Sequence, residues 1–390
     1  MRPFPITNWT LFIFCLLLGF FGRAQTIENP HLQEQSYDLS FQLINSIGAD
    51  EGEPYEMFGS SANFSVSKDG DWVILDPSGS RVLVFRSDGT YIREFGKKGQ
   101  GPGEFQAPSE IAIGPDNHIW VFDAMTKFAA LFDMQGNWIE NRALPQSVVA
   151  VITPWVLDSG ALIMTTVKLD EQFQQSYILG TMDGDQENFQ PILSKPIPKM
   201  DWNKMGEPGF WENFLVSHFN AVANGFPVSV PVGDGFVAFN IDKFEGTCYS
   251  ASGEKLWQMS QEHKPRPFFE ETKRAMCEAV YDGVRTSGPA GNAMNDSVFN
   301  AAYKKATLPD FMLPISTVFP WDRGFGVLTN YDAEIHNGII LLYSPDGKLV
   351  HGGEYDGPGN IRLIRGKELY ASGLDPDDVM TFQRFQVNGL

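Results

Sequence analysis

Few residues of this 390-residue chain are spaced for catalysis. Its six His are scattered, with no H-E-x-x-H motif and no i,i+4 pair of the kind that ligates zinc. A G-x-S-x-G nucleophile elbow is absent as well. Gly96, Gly99, Gly101 and Gly103 form a glycine-rich run. A phosphate cradle would have to follow a strand and open a helix, so that backbone N–H groups and the helix dipole face the anion. Pro102 interrupts the run and an apolar strand pattern follows at Glu110, so it reads as a connection, as does Gly352–Gly359. Asp76 and Asp123 each end an apolar run, where a carboxylate ordinarily accepts N–H bonds from the turn that follows. Asp375-Pro-Asp377-Asp378 offers oxygens to Ca²⁺ but lacks the loop length and glycine of an EF-hand, and reads as a solvated turn.

Three features keep a chemical reading open. Glu110 is a lone carboxylate at the start of an apolar run, with no partner evident in the sequence. The aromatic stretch Phe210–Asn220 places Trp211, Phe214 and His218 at i, i+3 and i+7, one face of a short helix, with Asn220 beyond. Such a face offers stacking and hydrogen bonding to a ligand, or packs on the body of the protein. Cys248 and Cys277 are candidates for a disulfide worth roughly 3–4 kcal/mol, the alternative being two buried thiols. Neither a C-x-x-C motif nor a zinc-spaced Cys/His set accompanies them. No cofactor and no metal site is implied.

The elements that must position these residues are short strands. Asp71–Gly89 (DWVILDPSGSRVLVFRSDG) and His118–Gly136 (HIWVFDAMTKFAALFDMQG) share one pattern: apolar run ending in Asp, turn, apolar run, glycine turn. The glycine turns recur at Gly89, Gly136, Gly184, Gly253 and Gly347, spaced by 47, 48, 69 and 94 residues. A period in the forties with several strands per unit marks propeller blades. The second unit reads as strands Glu110–Gly114, Ile119–Asp123, Phe128–Phe132 and Asn137–Asn141. The longer spacings require insertions, one near Pro198–Gly225 and a helical one over 261–311, where EETKRAMCEAV replaces strand patterning; a degenerate seventh blade is the alternative. The last unit has strands at Ile361–Ile364, Glu368–Ser372 and Thr381–Val387 and lacks a fourth. Residues 37–44 (YDLSFQLI) supply it, which closes the ring and removes two free edges. The expected fold is an all-β, six-bladed β-propeller over residues 25–390 with a helical insertion.

Residues 1–24 read as a signal peptide: Arg2 precedes a 13-residue apolar stretch, Thr10–Gly22, too short to span a bilayer. Gly22-Arg23-Ala24 has the small residues of a cleavage site, so the mature chain starts at Gln25 and keeps no stable membrane span. The expected location is periplasmic, cell-surface or secreted. Lys and Arg number 29 against 48 Asp and Glu, a net charge of -19, which excludes a general nucleic-acid binder and disfavours docking on anionic lipid. With 43% hydrophobic residues a large core is affordable and disorder is excluded.

Phe105-Gln-Ala-Pro108-Ser-Glu110-Ile-Ala-Ile-Gly-Pro-Asp116, then Ile119-Trp120-Val121 and Asp123, resembles the NHL repeat. Asp76 with Arg81-Val-Leu-Val-Phe85 and Asp88-Gly89 matches its second half. The match covers about Asp71–Gly136, and it departs from the repeat at Glu110, where Gly is common, and at Lys127-Phe128, where an Arg-aliphatic pair is usual. The leader and the helical insert before Leu308-Pro-Asp-Phe-Met-Leu-Pro314 are similar to bacterial exported six-bladed propellers of mostly unknown function. The resemblance implies the fold and little chemistry, since propellers bind, scaffold and catalyse alike. The expected role is a monomeric binding module for a protein, peptide or glycan. The alternative is a metal-dependent hydrolase or lyase of the lactonase kind, with Glu110 facing the channel.

Overall fold

A computed structural model of the chain describes residues 25–30, 37–123, 125–170, 174–182, 189–198, 201–287, 294–332 and 336–390. The leader at 1–24 and the turn at Gly184 lie outside the described residues. The N-terminal segment gives β1 (Gln25–Asn29) and β2 (Ser40–Ile47), which join sheets built much later in the chain. Blade 1 is β3 (Asn63–Val66), β4 (Trp72–Asp76), β5 (Arg81–Phe85) and β6 (Tyr91–Phe95). Blade 2 is β7 (Pro108–Ile113), β8 (Ile119–Asp123), β9 (Phe128–Phe132) and β10 (Trp138–Ala143). Blade 3 is β11 (Val148–Val156), β12 (Leu162–Leu169), β13 (Gln175–Met182) and β14 (Phe189–Pro196).

Blade 4 is β15 (Val228–Val232), β16 (Gly235–Asn240), β17 (Glu245–Ser250) and β18 (Lys255–Gln261), with β1 added in parallel on the outer edge of β18. Blade 5 is β19 (Thr317–Trp321), β20 (Gly324–Asp332), β21 (Asn337–Tyr343) and β22 (Leu349–Tyr355). Blade 6 is β23 (Asn360–Arg365), β24 (Glu368–Leu374) and β25 (Met380–Asn388), completed by β2, whose Phe41 pairs with Val387 and Ile47 with Phe382. The pairing strand therefore runs Ser40–Ile47, three residues beyond the 37–44 read from alternation, because Asp38 N and Leu39 N donate to Gly352 O of β22 instead. The turns Gly89, Gly136, Gly253 and Gly347 have φ of 89°, 85°, 81° and 81°, the left-handed conformation that selects glycine there.

Closure of the ring is visible in the core. The middle strands read as continuous apolar runs because both faces of each blade are covered. In β4, Trp72 and Ile74 face blade 6 while Val73 and Leu75 face blade 2. Each junction has its own cluster: blades 1–2 around Phe105 and Phe132, 2–3 around Trp120 and Met164, and 3–4 around Trp155 and Phe236. Blades 4–5 meet around Phe239 and Tyr343, 5–6 around Phe319 and Tyr355, and 6–1 around Trp72 and Phe382.

A separate cluster holds three helices: α1 (Phe210–Ala223) between blades 3 and 4, then α2 (Glu270–Ser287) and α3 (Asp296–Lys305) between blades 4 and 5. Asn295 caps α3 by accepting N–H bonds from Ser297 and Val298 at 3.0 and 3.1 Å. The α2–α3 insertion begins and ends at one place, where Pro267 pairs with Phe311 and Phe268 N donates to Asp310 O. Cys248 and Cys277 are both buried free thiols, so no bridge joins them. They belong to different clusters, Cys248 to the blade 4–5 core and Cys277 to the helical layer. Burial pushes their pKa up, to about 11 and about 12. Among the described residues no helix is long and apolar enough to cross a membrane.

Candidate functional site

The inner strands β3, β7, β11, β15, β19 and β23 ring the axis, and two of them carry charged residues: Glu110 on β7, and Arg362 and Arg365 on β23. Blade 6 stands opposite blade 3, so Arg362 reaches across the channel. Its Nη2 donates long bonds to Ile111 O at 3.3 Å and Pro154 O at 3.4 Å. Its guanidinium lies 4.0 Å from the centre of the Trp155 ring, a cation–π contact in a desolvated setting. Trp155 is held in turn by Nε1 donating to Ser229 O at 2.8 Å. β11 bulges just before it, between Ile152 and Trp155, with Thr153 at φ +46°, a strained conformation for a β-branched residue. The Thr153 hydroxyl is buried with no hydrogen-bond partner.

Glu110 is half-buried. Burial raises its pKa to about 7, against the opposing pull of the Arg362 charge and the Thr153 backbone N–H. Burial likewise lowers Arg362 to about 10, with Glu110 opposing. The two charges feel one another yet do not close into a salt bridge. Among the described residues Nη2 alone of the Arg362 nitrogens has hydrogen-bond partners, which leaves Nε and Nη1 as free donors. Residues 156–158 and 363–365, which follow Trp155 and Arg362 in the chain, line a pocket of about 370 Å³. Leu157, Pro231, Pro320, Trp321 and Ile364 wall it. Asp158, Asp322 and Arg365 line it as well; Asp322 accepts Gly366 N at 2.6 Å and Arg365 donates to Ser67 O.

The aromatic stretch forms α1 and lies in the helical layer, apart from the channel residues. Trp211 and Phe214 meet edge-on at 5.7 Å, and the Phe214 and His218 rings lie 4.0 Å apart at a tilt of 36°, with His218 Nδ1 at 2.8 Å from Phe214 O. Trp211 and Phe214 pack against the helical core, and burial lowers the pKa of His218. Asn220 accepts Thr307 N at 2.9 Å and borders a small groove with Tyr177 and Pro198. The carboxylates ending β4 and β8 are structural. Asp123 accepts N–H bonds from Gln106, Ala107, Met125 and Thr126, and Asp76 holds Ser78 and Arg81. Asp375 accepts Asp377 N and Val379 N in its own turn, and Glu104 accepts Gly101 N within the glycine-rich connection.

Arg362 and Trp155 are the residues that sequence reasoning missed. The signal that singles out Glu110, a charge inside an inner apolar strand, is also present in Asn360-Ile-Arg-Leu-Ile-Arg365. Nothing in a linear reading shows that the first strands of the second, third and last blades share one axis. Among the described residues no group of three or more His, Cys, Asp or Glu is placed to hold a metal ion.

Residues 62–196, blades 1 to 3, match the model of a family described as a 6-bladed beta-propeller. None of the curated proteins matches the sequence. Among solved structures, the chain is similar to a Bacteroides fragilis protein provisionally described as exported, at 13% identity and a TM-score of 0.51, over 93% of this chain and 100% of that one. It is more distantly similar to virginiamycin B lyase from Staphylococcus aureus, at 12% identity and a TM-score of 0.39, over 83% of this chain and 79% of that one. A Xanthomonas campestris gluconolactonase stands at 12% and 0.40, over 90% and 88%. The last two are too distant to carry an argument about chemistry. Repeat pattern, ring of blades and family model agree: the chain is a six-bladed β-propeller.

Proposed function

We propose that this protein is an exported binding module for a protein, peptide or glycan ligand, taken at the central channel. The leader sequence supports export. The single observation that carries the binding reading is Arg362: a guanidinium over the Trp155 ring, with Nε and Nη1 unengaged, near a carboxyl that does not neutralise it by contact. A built-in cation with free donors is a recognition element, since guanidinium donors left in a lumen gain most when a ligand acceptor replaces water. The half-exposed stripe Trp211, Phe214 and His218 with Asn220 is a second contact surface for a large ligand, because aromatic rings bury much area at little entropic cost.

The test is a glycan array and a random-peptide library probed with residues 25–390, as wild type and as Arg362→Gln and Trp211→Ala. A ligand class retained by wild type and lost in Arg362→Gln supports the reading. A second reading, enzymatic, is favoured by the Glu110 carboxyl, which titrates near neutrality as a general acid or base must. Lactone hydrolysis or amide cleavage by the wild-type protein, with stoichiometric divalent metal by elemental analysis and no ligand on either array, would put that reading in place of the first.

A further inference from the structure

We propose that the channel binds a small monovalent anion of the chloride kind, against Arg362 and the Thr153 hydroxyl. An anion held there is independent of the ligand class proposed above. The six inner strands carry three titratable side chains in all: Glu110 on β7, and Arg362 and Arg365 on β23; β3, β11, β15 and β19 carry none. Glu110 closes no ion pair with either arginine, and Arg365 is engaged with Ser67 O. The inner strands therefore keep a positive excess within a chain of net charge -19. An enclosed guanidinium without a counter-charge is costly, and burial already lowers Arg362 to about 10.

The free donors select the kind of anion. Nη2 is taken by Ile111 O and Pro154 O, and it belongs to both edges of the guanidinium that grip a carboxylate by two parallel bonds. What remains is one-at-a-time donation from Nε or Nη1, which suits a single-atom acceptor. Thr153 precedes Pro154, its N–H meets Glu110, and its hydroxyl is buried without a partner. Ser229 on β15, 1% exposed, has a second unpartnered hydroxyl, on the residue whose carbonyl holds Trp155. A hydroxyl rotates to donate to an anion as it would to water. Glu110 and Arg362 are half-buried rather than sealed, so a particle of solvent size reaches both.

Glu110 makes the site pH-dependent. Ionised, it competes for Arg362 and repels an anion; protonated, it does neither and adds an O–H donor. A carboxyl titrating near 7 is about nine-tenths protonated at pH 6 and about one-tenth at pH 8, while Arg362 stays charged at both. By reciprocity, saturating chloride raises the Glu110 midpoint.

Chloride itself is the probe, read by the broadening of its NMR line in the presence of the purified protein. At pH 6 the wild type is expected to broaden the line, and bromide to compete the broadening away. The apparent affinity should fall about tenfold by pH 8. Glu110→Gln should bind at pH 8 as the wild type does at pH 6 and lose the pH dependence. Thr153→Val should weaken binding severalfold, and Arg362→Gln should abolish it with the far-UV spectrum unchanged. If Arg362→Gln fails to fold, the Glu110→Gln profile decides alone, and a pH dependence unchanged in that variant overturns the site. No excess broadening at pH 6, or broadening that Arg362→Gln leaves in place, overturns the proposal. Formate competing as well as bromide does would overturn the single-atom assignment. Silent glycan and peptide arrays leave the anion site standing, and an unbroadened chloride line leaves the binding module standing.

Discussion

At the scale of single residues, the buried carboxylates sort by what they touch. Asp123 is 3% exposed and accepts four backbone N–H bonds, two from its own turn and two from the connection that enters blade 2. Removing the acceptor strands donors that water reaches poorly, so Asp123→Ala should cost roughly 2–4 kcal/mol in chemical denaturation. Asp375→Ala removes two bonds in an open turn and should cost about 1 kcal/mol. Equal costs would show that Asp123 is not a clamp between connection and blade. Glu110 predicts a pH effect of definite sign. Its folded pKa of about 7 lies above the ordinary 4.5, so between these values the native state holds a proton that the unfolded state releases. Stability from this group is full below pH 4.5 and is lost as pH rises through 7. From pH 5 to pH 8 the wild type should lose roughly 2 kcal/mol relative to Glu110→Gln. A difference that stays flat over that range would mean the carboxyl ionises normally.

At the scale of elements, the two N-terminal strands differ in consequence. β1 lies on the outside of blade 4 with four of its five side chains outside the core; its anchor is Asn29, which bonds Gly347 O and Leu349 N, both at 2.9 Å. Truncation through Pro30 therefore removes an edge strap, and should lower the melting temperature by only a few degrees, on the order of 1–2 kcal/mol. Truncation through Ile47 takes β2 as well. That deletes the buried Leu39 and Ile47, worth about 1.5–3 kcal/mol each, and strips the backbone partners of β25 along its length. The longer truncation should abolish cooperative thermal unfolding in calorimetry, and a melting temperature unchanged from that of the shorter one would rule out closure by β2.

At the scale of the whole molecule, two bodies of core are distinguishable: six inter-blade clusters in a ring and one helical cluster beside it. The α2–α3 insertion starts and finishes at the Pro267–Phe311 pair, so its removal need not pull on the blades. Replacing residues 269–309 with a Gly/Ser linker should keep the far-UV strand signal and reduce the helical one. It should also raise binding of a hydrophobic dye, since Leu215 and Phe219 of α1, both fully buried, lose their cover. Global unfolding of that variant would instead make the helical layer part of the propeller's own core.

Local chemistry and period determined a good deal of this. Apolar runs ended by Asp and glycine turns at left-handed φ dictate strand–turn–strand units, because few residues other than glycine adopt that backbone cheaply. A period in the forties dictates blades, and the missing fourth strand of the last unit calls for a strand from elsewhere. The roles of Asp76 and Asp123 were readable too, being set by turns a few residues away. What the tertiary structure alone decided is everything that depends on the axis. Glu110 gains Arg362 as a neighbour some 250 residues later only because closing six blades brings the inner strands of blades 2 and 6 around one axis. The two cysteines fall into separate cores for the same reason, and α1 turns Trp211 and Phe214 toward other helices rather than toward the channel. Hydrophobic period encodes which side of a strand is covered, not which distant strand does the covering.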